Sequence, residues 1–119
     1  MKRIALALAL FLAVPLAAAS PPDAITGRWT GALDAQGTSL RIVVNIEKDG
    51  DGYRATLDSP DQGATGIPVT KVTFASPDLK LELANLGASY EAKLDGDSLD
   101  GTWRQSGVAL PLALARQKD

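Results

Sequence analysis

From Gly27 onward, apolar and polar residues alternate with a period of two, the repeat of strands that turn one face to a core. Leu40, Ile42, Val44 and Ile46 alternate with Arg41, Val43, Asn45 and Glu47. Leu79, Leu81 and Leu83 alternate with Lys80, Glu82 and Ala84, and Tyr90, Ala92 and Leu94 with Ser89, Glu91 and Lys93. Val108, Leu110, Leu112 and Leu114 alternate with Ala109, Pro111, Ala113 and Ala115. The pattern predicts eight strands, at about 27–34, 39–48, 53–58, 68–75, 79–84, 88–94, 98–105 and 108–116. Turn formers punctuate them: Asp49-Gly50-Asp51-Gly52, Ser76-Pro77-Asp78, Asn85-Leu86-Gly87, Asp95-Gly96-Asp97 and Gln105-Ser106-Gly107. Short strands joined by tight turns predict an all-β antiparallel meander, and eight of them can close into a small barrel without free edges. Pro111, lacking an N–H, must then face outward or sit at a bulge.

The inward set is mostly aliphatic, with Trp29, Trp103, Tyr53, Tyr90 and Phe74 added. Arg116 is the one ionisable residue in phase with it, following Leu110, Leu112 and Leu114. Glycine precedes each tryptophan by two residues, at Gly27 and Gly101, leaving room for an indole to lie against backbone. A barrel of eight strands is just wide enough to be filled by side chains or to hold one small ligand. Its short loops favour the filled interior.

The N-terminal segment follows a different pattern. Met1-Lys2-Arg3 is basic, Ile4 to Val14 is unbroken apolar sequence, and Ala17-Ala18-Ala19 precedes Ser20. This is the form of a secretory signal cut after Ala19. The apolar run is too short for a membrane-spanning helix, so no stable membrane anchor is expected. The organisation read from the sequence is a signal peptide at 1–19, a lead-in at 20–26, a β-barrel at 27–116 and a tail at 117–119. The expected location is periplasmic or secreted.

Losing Lys2 and Arg3 from twelve basic residues leaves ten against fourteen acidic, a net charge of −4 in place of −2. That balance argues against nucleic acid or anionic lipid as a partner. The chain has no histidine and no cysteine. A Ser-His-Asp or Cys-His centre cannot be built from it, and the usual zinc, haem and iron–sulfur ligands are missing, so no cofactor or metal and no catalytic residue is expected. Gly96-Asp97-Ser98-Leu99 spells a lipase-type nucleophile block, but nothing can activate Ser98 and the string falls in a hairpin turn. Glu47, Asp49, Asp51, Gly52 and Asp58 imitate a calcium-loop register, yet both flanks read as strands, and the stretch is taken as an acidic hairpin.

One connection stands out: Asp58-Ser59-Pro60-Asp61-Gln62-Gly63-Ala64-Thr65-Gly66-Ile67-Pro68, polar and glycine-bearing, is longer than any other. Long loops at a barrel mouth commonly carry binding. The candidate contact residues are Asp58, Ser59, Asp61 and Gln62, with the aromatics Tyr53 and Tyr90 beside them. A purely structural alternative is an Asx or proline turn held by side-chain to backbone hydrogen bonds.

Two resemblances bear on these residues. Gly27-x-Trp29 with the late Arg116 resembles lipocalin and avidin-like barrels, in which an N-terminal Gly-x-Trp packs beneath the barrel floor under an arginine of the last strand. The blocks Ile25-Thr26-Gly27-x-Trp29-x-Gly31, Asp58-Ser59-Pro60-Asp61-Gln62-Gly63, Gly66-Ile67-Pro68, Gly101-Thr102-Trp103-x-Gln105 and Leu110-Pro111-Leu112 resemble the accessory β-domain that precedes the catalytic domain of exported bacterial α/β-hydrolases of the esterase and prolyl-oligopeptidase-like type. The chain lacks the histidine of such enzymes, so the resemblance implies a stand-alone accessory relative. The expected function is that of a non-catalytic binding module, with Gly27, Trp29, Gly101, Trp103 and Arg116 structural. The alternatives are a partner of a separately encoded secreted hydrolase, or another periplasmic protein, and a carrier of a small apolar ligand.

Overall fold

The structure, a computed structural model, describes residues 24–117; the expected signal segment, and with it the reading of location, lies outside the described residues. Nine antiparallel strands form one sheet: β1 (Gly27–Ala35), β2 (Thr38–Asp49), β3 (Gly52–Ser59), β4 (Ala64–Val69), β5 (Lys71–Ala75), β6 (Asp78–Leu83), β7 (Ala88–Asp95), β8 (Ser98–Gln105) and β9 (Val108–Arg116). Two single-turn 3-10 segments, Pro60–Gln62 and Ala84–Leu86, follow β3 and β6. The strand order is β4-β3-β2-β1-β9-β8-β7-β6-β5, with β1 paired to β9 inside the sheet, which wraps until its edge strands β4 and β5 come together and nearly closes a barrel.

The ninth strand comes from a division. In a strict up-and-down meander the first and ninth strands would run the same way, yet β1 and β9 are antiparallel, Trp29 facing Arg116 and Gly31 facing Leu114. One connection therefore does not reverse the chain. It is Thr70, which alone separates β4 from β5. The segment 64–75 is one bent strand whose first half pairs with β3 and whose second half pairs with β6. Thr70 pins the bend: its N–H and its hydroxyl both donate to the Glu82 carbonyl, at 2.7 and 2.8 Å, and its Oγ1 accepts from the Ala84 N–H at 3.0 Å. Covalent continuity closes the barrel here, where no ladder joins β4 to β5. Below the bend, Tyr53 of β3 and Phe74 of β5 meet edge to face with ring centroids 6.5 Å apart.

The long loop expected at 58–68 is thus replaced by a 3-10 turn and a strand. Gly66 and Pro68 look like loop residues but each has a place in β4. Leu57 pairs with Ile67 and Ser59 with Ala64, so Thr65 and Gly66 together oppose Asp58 in a β-bulge. Gly66 takes the left-handed φ of +68° that the bulge requires. Pro68 lies on a strand paired on one side only, where a missing N–H is tolerated. Pro111, opposite Thr102, is exposed as expected.

Alternation holds along the long strands except at Val43 of β2, which stands in the outward phase yet is buried. The inward set forms one core running from Ile25, Trp29 and Ile46 to Leu83, Tyr90 and Trp103. Two glycines set the tightest approaches. A Cβ on Gly31 would lie 2.2 Å from the Ala113 carbonyl oxygen, and one on Gly101 would lie 2.2 Å from that of Glu91. Only a residue without a side chain lets neighbouring backbones come this close at a barrel corner.

Candidate binding site at the barrel mouth

Turns 35–38, 59–64, 83–88 and 105–108 all fall at one end of the barrel. The other end carries turns 49–52, 75–78 and 95–98 together with Ala24 and Gln117.

That second end is closed. The Trp29 indole N–H donates to the Ile25 carbonyl at 3.0 Å, both residues being fully buried. The Arg116 guanidinium stacks 4.4 Å above the Trp29 ring. From there Nη2 donates to the Ala24 carbonyl at 2.6 Å, Nη1 to the Thr26 carbonyl, and Nε to Asp97 Oδ1 at 2.8 Å. Gly27, with φ of +127°, leaves space beside the guanidinium. The expected packing of an arginine over the Gly-x-Trp floor is present, and Asp97 of the Gly-Asp-Ser-Leu string serves it.

The first end is open. A cavity of about 550 Å³ enters the barrel between the four turns. Its walls are Leu33, Leu40, Ile42, Leu57, Ile67, Leu86, Trp103, Val108 and Leu110, and its polar atoms come from Gln36, Ser59, Gln62, Gln105 and Ser106. The interior is therefore filled at the floor and hollow at the mouth. Short loops do not fill this end, because the 3-10 turns and the hairpins stand around its rim and leave the centre empty. Val108, half exposed, stands at the opening.

The polar groups of the mouth are ordered. Gln105 accepts from the Trp103 indole N–H at 3.2 Å and donates to the Leu86 carbonyl at 3.2 Å, tying β8 to the 3-10 turn Ala84–Leu86. Ser59, only 2 % exposed, donates its hydroxyl to Gln62 Oε1 at 2.7 Å. The Gln62 amide nitrogen makes no hydrogen bond to another described residue and is left to face a guest or water.

The residues singled out from the sequence divide accordingly. Ser59 and Gln62 line the cavity. Asp58 and Asp61 do not; each completes a backbone ladder. Asp58 Oδ1 accepts from the Gly66 N–H at 2.7 Å, satisfying the donor exposed by the bulge, and its Oδ2 accepts from Asn45 at 3.3 Å. Asp61 Oδ2 accepts from the Arg41 N–H at 2.8 Å. In the β2–β3 register Arg41 comes opposite Pro60, where β3 has ended, so the carboxylate replaces the missing strand. This is the side-chain to backbone alternative foreseen for the stretch.

Tyr53 and Tyr90 are not beside that turn. Tyr53 lies at the seam, against Phe74, with the Lys48 ammonium 4.9 Å from its ring centroid. Tyr90 is buried beneath the mouth, opposite Trp103, and donates to the Leu112 carbonyl at 2.8 Å across the inner face of β8. Burial, aided by the charge of Asp100, raises its pKa above the usual phenol value. Gln36, Leu86, Trp103 and Gln105 were not foreseen as mouth residues. The parity of the meander was the available signal, since alternate turns share an end.

A second cavity of similar size, about 560 Å³, lies on the outer face of β5 to β8 among Asp78, Lys80, Glu91, Lys93 and Asp100. Four of these five charges pair with one another, Lys93 with Asp78 and Lys80 with Glu91 at 3.6 Å, as on a solvated sheet surface. The acidic stretch 47–58 forms the β2–β3 hairpin, and among the described residues no group of three or more carboxylates gathers to hold a metal ion.

Comparison with protein-family models, curated proteins and solved structures finds no match to this chain. The resemblance to hydrolase accessory domains rests on the short sequence blocks alone.

Proposed function

We propose that this protein is a binding module whose β-barrel takes one small, mainly apolar molecule through its mouth. The observation that carries the reading is the cavity of about 550 Å³ lined by eight Leu, Ile and Val residues and Trp103, with a few placed amide and hydroxyl groups. This is the size and make-up of small-molecule sites, which are concave, largely apolar and fitted with a small number of orienting polar groups. The closed floor supports a pocket with one entrance. If residues 1–19 act as an export signal, binding takes place outside the cytoplasm.

The hydrolase-partner reading comes second. The Ser-Pro-Asp-Gln-Gly block that suggests it spends both its carboxylates on the barrel's own backbone, so the apolar mouth is the better supported contact. Titration with N-phenyl-1-naphthylamine, a neutral naphthyl probe, tests the proposal. Saturable fluorescence enhancement at micromolar concentrations is expected, and Leu110→Glu at the mouth should abolish it without unfolding the barrel. Absence of saturable binding, or identical binding by Leu110→Glu, would count against the mouth as the site.

A further inference from the structure

Resting on that reading, we infer that the mouth selects uncharged ligands and rejects an apolar molecule carrying a carboxylate, phosphate or ammonium group. None of the sixteen residues lining the cavity is ionisable. The ionisable residues that adjoin lining residues in the chain are Asp34, Arg41, Asp58, Asp61 and Arg104. Three are accounted for: Asp58 holds Gly66 and Asn45, Asp61 holds the Arg41 N–H, and Arg104 lies 3.6 Å from Glu91 on the outer face. Asp34 and Arg41 lie on the exposed, outward phase of β1 and β2, between inward Leu33, Leu40 and Ile42. A charged group taken inside would lose its water and find no counter-charge, an expense only pairing or neutralisation removes.

The polar groups present suit a neutral oxygen. The unused donors of Gln62 can hold a carbonyl or hydroxyl oxygen, while Gln105 Oε1 and Ser59 Oγ keep lone pairs for a hydroxyl proton. The implied ligand class is an uncharged apolar body ending in an alcohol, ester, amide or ketone.

Displacement of the naphthyl probe by decanol and by decanoate, which share a chain and differ in charge, tests this. At pH 8 decanoate should bind about 100-fold or more weaker than decanol. Its apparent affinity should rise roughly tenfold for each unit the pH is lowered from 8 to 6, because only the protonated acid enters. Decanol should show no such trend. Leu110→Lys, or Leu40→Lys if the first fails to fold, places an ammonium at the mouth. With affinities read directly by isothermal titration calorimetry, since a charge there also expels the probe, decanoate should come up to or past decanol. Decanol and decanoate binding within threefold of each other to the native protein at pH 8 would overturn the selectivity and leave the apolar mouth standing. If neither displaces the probe, and the probe itself does not bind, both the selectivity and the cavity reading fail.

Discussion

Replacing Arg116 by methionine keeps the apolar stem over Trp29 and removes the guanidinium that joins both ends of the described chain. The side chain is 21 % exposed, and its two bonds to the Ala24 and Thr26 carbonyls are shielded by the floor. Hydrogen bonds to a charged group contribute about 1.5–3 kcal/mol each, and we take the low end because some water reaches the site. Stacking on Trp29 adds roughly 0.5 kcal/mol. The Asp97 pair adds at most about 1 kcal/mol, since that carboxylate is half exposed. The expected loss is about 3.5–4.5 kcal/mol, a large share of the stability of a domain this size. For a small domain this lowers the melting temperature by about 14–36 °C. Urea unfolding followed by far-ultraviolet circular dichroism measures it. Arg116→Lys, which keeps the charge and loses the planar fork, should fall between the two. A loss below about 1 kcal/mol for Arg116→Met would refute the claim that this arginine fastens the floor.

Tyr90→Phe should cost about 1 kcal/mol at pH 7 through the bond to Leu112. Its raised pKa means that Tyr90 contributes full stability below the unfolded value near pH 10 and loses it as pH climbs above, so the native protein should weaken by up to about 1.4 kcal/mol per pH unit there. Urea midpoints at pH 8, 10 and 11 should show a shallower alkaline decline for Tyr90→Phe; equal slopes would contradict the argument. Gly31→Ala drives a methyl into the Ala113 carbonyl and should destabilise by about 3 kcal/mol or prevent folding, read by the same unfolding curves. Thr70→Val removes two side-chain bonds from the seam and should cost about 1–2 kcal/mol, with faster hydrogen exchange at the Ala84 amide.

Most strands were legible because their two-residue alternation is uninterrupted and their turns contain Gly, Asp or Pro. The missed strand, β4, is the one in which Gly66 and Pro68 break that alternation, and only tertiary pairing with β3 reveals that a bulge absorbs the glycine. Missing it concealed that 64–75 is a single bent strand. That Arg116 turns inward was readable from its phase with Leu112 and Leu114, whereas its place over Trp29 was expected only from the lipocalin-like resemblance. The mouth was not readable. Leu33, Leu40 and Leu110 carry the same alternating signal whether their inner side meets another side chain or empty space, and which it meets depends on how the four turns gather. Gln62 was singled out and does line the mouth, whereas Gln105 gave no signal because its role comes from standing beside Trp103 and Leu86. The two aspartates looked like chemistry because carboxylates in a polar loop usually face solvent; here each replaces a ladder bond.

The two tryptophans give the most direct test of the central claim, because their indole N–H groups report from opposite ends of the barrel. In nitrogen-15 correlation spectra, titration with N-phenyl-1-naphthylamine should move the Trp103 indole signal and the side-chain amides of Gln62 and Gln105 saturably and together. The Trp29 indole signal should stay in place. Shifts confined to Trp29, or to the charged outer face around Lys80 and Glu91, would contradict a ligand site at the mouth.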